Sequence, residues 1–127
     1  MSEKFEVGQI VTGIYKTGKY IGEITMERPE QYVMKVLAVL KHPEQGDLHN
    51  PKQGNAEMFH ERRALAYTEH VNVPKTHIKR YEEDVPTYKD SLRVALEEKY
   101  KSLENDDSQF AKRSLELLRG LEADYFK

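Results

Sequence analysis

Two hydrophobic periods divide this chain. Over residues 8–81 apolar positions mostly alternate with polar ones. After Val85-Pro86 they recur every three or four residues. Alternation predicts strands and the longer spacing predicts amphipathic helices. In residues 8–15, Ile10, Thr12 and Ile14 share one face, which predicts a first strand. Lys16-Thr17-Gly18-Lys19 follows as a turn, with Gly18 expected at the left-handed backbone position. Residues 20–26 form the second expected strand, and Gly22 within it predicts a bulge or sharp bend. Residues 32–40 are apolar on both faces apart from Lys35, which predicts a central strand. Residues 42–55 are polar and carry Pro43, Gly46, Pro51 and Gly54, so a long loop is expected. Residues 62–68 alternate again and predict a fourth strand. Val73-Pro74 is expected to break the chain, and residues 76–81 to supply a short last strand.

The helical part has two stripes. Tyr88, Leu92, Ala95, Leu96, Tyr100 and Leu103 form the first; Phe110, Ser114, Leu117, Leu118, Leu121 and Tyr125 form the second. Thr87 with Asp90 three residues on resembles a capping box, and Asp107 is the expected cap of the second helix. Asn105-Asp106-Asp107 is the turn between them. The fold expected is mainly β with an α extension. An SH3-like small β-barrel spans residues 5–82, with a long loop at 42–60. An antiparallel helical hairpin spans residues 86–125.

Charge sharpens that division. Net charge is −2, but residues 1–81 carry +2 and residues 82–127 carry −4. Neither part has the basic excess of a dedicated nucleic-acid binder. The absence of cysteine removes disulfides, thiolate metal sites and a thiol nucleophile. No apolar stretch approaches the roughly 20 residues of a membrane-spanning helix. The first residues show no basic segment leading into an apolar one, so the cytoplasm is the expected compartment.

Candidate chemistry gathers around the long loop. His42, Asp47, His49, Glu57, His60 and Glu61 are metal-ligand types, with His42, His49 and His60 the nearest to a set. Their spacing matches no common arrangement, and a polar surface loop is the simpler reading. No serine sits in a nucleophile elbow and no glycine loop is spaced to cradle phosphate. No catalytic residue, cofactor or resident metal is therefore expected, and a His/Asp metal-dependent enzyme is the weaker alternative. A second alternative is nucleic-acid binding through Lys16, Lys19, Arg62, Arg63, Lys75, Lys79 and Arg80, interleaved with Tyr15, Tyr20 and Tyr67. The favoured reading is contact with a protein partner. Its candidate residues are His42, Asp47, His49, Asn50, His60, Arg62, Arg63 and Tyr67. The acidic helical hairpin is a further surface for a partner or for self-association.

Several strings carry a resemblance to a known family. They are Gly13-Ile14-Tyr15-Lys16-Thr17-Gly18-Lys19-Tyr20-Ile21-Gly22-Glu23-Ile24, Ala38-Val39-Leu40-Lys41-His42-Pro43, Gln45-Gly46-Asp47-Leu48-His49, and Phe59-His60 with Arg62-Arg63-Ala64-Leu65-Ala66-Tyr67. Asn72-Val73-Pro74-Lys75 and the final Asp124-Tyr125-Phe126-Lys127 agree. Together they resemble the kinase-associated protein B family of spore-forming bacilli, also called kinase-associated lipoprotein B. The resemblance implies a non-catalytic accessory of a membrane sensor histidine kinase that feeds the sporulation phosphorelay. It brings no established binding residues with it. A lipoprotein needs a lipid-bearing cysteine, and this sequence has none. Any membrane location is therefore expected to come through a partner.

Overall fold

The computed structural model describes residues 4–45 and 61–127. Five strands form one antiparallel sheet: β1 (Ile10–Tyr15), β2 (Gly18–Glu27), β3 (Gln31–Lys41), β4 (His70–Pro74) and β5 (Ile78–Arg80). Helices α1 (Tyr88–Leu103) and α2 (Gln109–Tyr125) follow. The sheet order is β4-β3-β2-β1-β5, so β4 and β5 lie at opposite edges. Yet a single 3-10 turn, Lys75–His77, joins them. Strands stand about 4.8 Å apart, so a flat sheet this wide would separate its edges by about 19 Å. Three residues reach only about 10 Å. The sheet must therefore curl. It does not close: β4 pairs with β3 and β5 with β1, not with each other. The expected barrel is thus a curled, open sheet.

Of the three irregularities in β2–β3 pairing, at Lys19/Tyr20, Ile21/Gly22 and Ile24/Met26, one falls at a glycine. Pairing between β2 and β3 slips at Ile21/Gly22, the bend expected at Gly22. A Cβ there would sit 2.7 Å from the Lys35 carbonyl and inside the Met34 side chain. At Gly13 a Cβ would meet the Met34 sulfur at 2.9 Å. Met34, fully buried, fills the space that both glycines leave.

The first hairpin corrects one expectation. Lys16, not Gly18, holds the left-handed backbone, at φ 54°. Tyr15 pairs with Gly18, leaving Lys16 and Thr17 as the two-residue turn. Gly18 is needed for a different reason: a Cβ there would come within 2.9 Å of the Tyr20 ring.

The expected strand at residues 62–68 is the larger correction. Residues 61–66 have no regular structure. Ladder pairing with β3 begins only where the Thr68 N–H reaches the Val36 carbonyl at 2.7 Å and the Val36 N–H reaches the Glu69 carbonyl at 2.9 Å. The edge strand is instead β4, ending at Pro74, where a missing N–H is tolerated.

Both helices follow their stripes. Leu92, Ala95, Leu96 and Leu103 of α1 join Phe110, Ala111 and Leu118 of α2 and the sheet's Val11, Tyr20, Ile24, Met34, Val36, Val39 and Ile78 in one core. Thr87 caps α1, its hydroxyl accepting from the Asp90 N–H at 3.2 Å. Ser108, not Asp107, caps α2, accepting from the Ala111 N–H at 3.1 Å. Ser91 of α1 locks helix to sheet: its hydroxyl accepts from the Val39 N–H at 2.9 Å and donates to the Tyr88 carbonyl. That bond serves a backbone donor beside the bulge between the Lys19↔Lys41 and Tyr20↔Val39 pairs.

Candidate functional site

Buried backbone groups need partners, and residues 61–66 have no ladder to supply them. Side chains from the surrounding elements do so. The Gln45 amide clamps Arg62 from both sides: its Nε2 donates to the Arg62 carbonyl and its Oε1 accepts from the Arg62 N–H, each at 2.8 Å. The Tyr125 hydroxyl accepts from the Ala64 N–H at 2.9 Å. The Tyr20 hydroxyl accepts from the Leu65 N–H at 3.3 Å, and the Tyr88 hydroxyl donates to the Leu65 carbonyl at 2.6 Å. Glu69 accepts from the Ala66 N–H at 2.8 Å. Three tyrosines, from β2, α1 and α2, thus hold one irregular segment. Burial pushes all three phenols up, Tyr88 to about 12, so they remain protonated donors near neutrality.

The other foot of the loop, residues 42–45, is fixed as firmly. His42 is fully buried. Its Nδ1 lies 3.1 Å from the Pro43 carbonyl, an acceptor only, so Nδ1 carries the proton. Its Nε2 then accepts from the Tyr125 hydroxyl at 3.0 Å. That hydroxyl is used twice, as donor to His42 and acceptor from Ala64. Burial lowers His42 to about 4, so its ring is neutral near pH 7. The Glu44 N–H donates to the Thr17 hydroxyl at 3.0 Å, and the Glu44 carboxylate meets the Lys99 ammonium at 2.7 Å. Lys99 is nine-tenths buried there.

Between these feet and the β1–β2 turn lies a cleft of about 310 Å³, lined among others by Tyr15, Lys16, Tyr20, Pro43, Arg62 and Leu65. Of the residues expected to bind a partner, Arg62 and Arg63 line this cleft. Arg63 is already engaged: it meets Asp124 at 2.8 Å and lies 5.1 Å from the Tyr125 ring. Tyr67, 57% exposed, is held apart in a second, apolar groove with Leu37, Val85 and Tyr88. His42 is taken inside, so its side chain acts by holding the foot and not by direct contact. Asp47, His49, Asn50 and His60 lie outside the described residues.

The rival chemistries are placed as follows. Among the described residues no group of three or more His, Cys, Asp or Glu side chains is arranged to hold a metal ion. The basic surface drawn for nucleic acid is divided: Lys75 pairs with Glu27 at 2.7 Å, Arg80 with Glu82 at 3.6 Å, and Tyr20 is buried where it cannot stack on a base. Sequence reasoning missed Gln45, Thr17, Tyr88, Lys99 and Tyr125 as parts of the site. Two left a signal: Tyr88 and Tyr125 sit at the ends of leucine-rich stripes, where a phenol adds a polar tip to an apolar body. The cleft carries both signs of charge, with Lys16, Arg62 and Arg63 alongside Glu61 and Glu69 among its lining. No helix among the described residues is long and apolar enough to cross a membrane.

Comparison with known proteins is consistent along nearly the whole chain. The family model described as kinase associated protein B matches residues 15–126. The chain is 55% identical over 122 residues to a protein of Bacillus subtilis (strain 168) named kinase-associated lipoprotein B, covering 96% of this chain and 95% of that one. It is also similar to the crystal structure of kinase-associated protein B from Bacillus cereus. There the TM-score is 0.83 and the identity 53%, over 96% of this chain and 98% of the other.

Proposed function

The chain belongs to the kinase-associated protein B family, and from that premise we propose that it is a non-catalytic accessory protein of a sensor histidine kinase feeding the sporulation phosphorelay. It acts in the cytoplasm by direct contact, and any membrane location comes through the kinase. The family name supports the kinase association. One observation carries the choice of surface: the cleft wall at residues 61–66 is irregular backbone held by side chains from β2, α1 and α2. Ordering a segment costs about 1–2 kcal/mol per residue. A surface whose ordering is already achieved before a partner arrives loses less on binding.

Co-purification tests this reading. The full chain, immobilised, should retain the cognate kinase, and Arg62→Glu combined with Lys16→Glu should weaken retention. Failure of the unaltered chain to retain any sensor kinase would refute direct contact.

A further inference from the structure

Positive charge without a counter-charge collects at one end of the sheet. Lys19 of β2 and Lys41 of β3 are direct cross-strand partners. Side chains at such positions share a face with Cβ atoms about 5 Å apart, and like charges there repel. Lys16 stands in the adjoining turn, with its ammonium 5.5 Å from the Tyr15 ring centroid. Among the described residues none of these three lysines has a carboxylate within the 4.0 Å of an ion pair. Six other cations, Lys35, Arg63, Lys75, Arg80, Lys99 and Lys127, do meet carboxylates.

The backbone that carries the three lysines is anchored. Each directly precedes a residue locked into the interior network. Lys16 precedes Thr17, which holds the Glu44 N–H. Lys19 precedes the buried Tyr20, and Lys41 the buried His42. Successive strand side chains point to opposite faces, so the burial of Tyr20 directs Lys19 outward. Lys16 holds a left-handed turn position that glycine occupies more easily. Ile14, the cross-strand partner of Lys19, is 42% exposed and adds an apolar contact beside the charges.

We propose that Lys16, Lys19 and Lys41, with Ile14 beside them, form the docking surface for an acidic segment of a partner protein. The inference rests on reading the chain as a binding protein and extends the cleft's Lys16 edge across the sheet. Charge complementarity selects an acidic partner. The exposed Ile14 adds an apolar contact suited to a peptide side chain, which favours protein over nucleic acid.

The test uses the full chain and a fluorescein-labelled peptide of glutamates interspersed with serine, followed by anisotropy at low and high salt. Binding should weaken with salt. Lys16→Gln/Lys19→Gln/Lys41→Gln should bind about tenfold more weakly. Lys79→Gln/Lys101→Gln/Lys112→Gln removes the same charge elsewhere and should stay within about twofold. The Lys→Arg version of the first triple keeps the charges and should retain binding. Equal losses in the two Gln triples would reduce the effect to net charge and overturn the inference. So would tighter binding to single-stranded DNA of the same length, or to phosphatidylglycerol vesicles, than to the peptide. Kinase co-purification run in parallel separates this inference from the function. If the kinase is retained by the unaltered chain and equally by the first triple, the lysine surface is refuted and the function stands. If the peptide discriminates the triples while no kinase is retained, the surface stands and the kinase reading falls.

Discussion

His42 makes the stability of this protein depend on pH in a way that one substitution should remove. Its ring is fully buried, donating from Nδ1 to the Pro43 carbonyl and accepting at Nε2 from the Tyr125 hydroxyl. Protonation would place a second N–H against that hydroxyl, which already accepts from Ala64. It would also place a charge where burial, and to a lesser extent nearby Lys99, disfavours it; Glu44 opposes that effect. The folded ring therefore titrates near about 4 instead of 6.5. The unfolded chain takes up the proton as pH falls through 6.5, whereas the folded chain resists until about 4. Stability from the neutral ring is fully present above pH 6.5 and is lost as pH falls from 6.5 towards 4. At about 1.4 kcal/mol per pH unit, the loss totals about 3 kcal/mol. Urea denaturation at half-unit steps from pH 7 to pH 4.5 measures it. Glu27 and Asp124, held below the usual carboxylate range by Lys75 and Arg63, add their own losses at lower pH. His42→Gln shares those losses but cannot titrate at the ring. The stability gap between the two proteins should therefore narrow steadily from pH 6.5 downward. Parallel curves would refute the assignment of the neutral ring.

Three further outcomes follow from packing and partners. Tyr125→Phe removes one hydroxyl and leaves both the Ala64 N–H and the His42 Nε2 without it, so chemical denaturation should show a loss of about 2–4 kcal/mol. Gly22→Ala drives a methyl into Met34 and the Lys35 carbonyl, and should cost about 1–3 kcal/mol in the same assay. Gly120→Ala, on α2 where a Cβ meets nothing within 4 Å, should raise stability by about 1 kcal/mol, read as a higher Tm.

Period, turn chemistry and local composition determined much of this protein without reference to its fold. Four strands lay close to where the residue pattern put them, and both helices lay on their apolar stripes, because those patterns act through neighbours in the chain. The bend at Gly22 was legible for the same reason. Only the tertiary structure decided the rest. Residues 61–66 alternate like a strand, yet tyrosines at positions 20, 88 and 125 take the bonds that a ladder would have used. Alternation reports an extended backbone; it cannot report which partner satisfies it. The left-handed position fell to Lys16 because Gly18 was required by the Tyr20 ring, a contact within β2 that turn preference alone does not weigh. His42 looked like a surface ligand because its text is polar. It is buried because Pro43 and Tyr125, the latter 83 residues away, satisfy both ring nitrogens. Local sequence sets which elements form. Where a polar group finds its partner is a long-range question, and here its answers shape the candidate site.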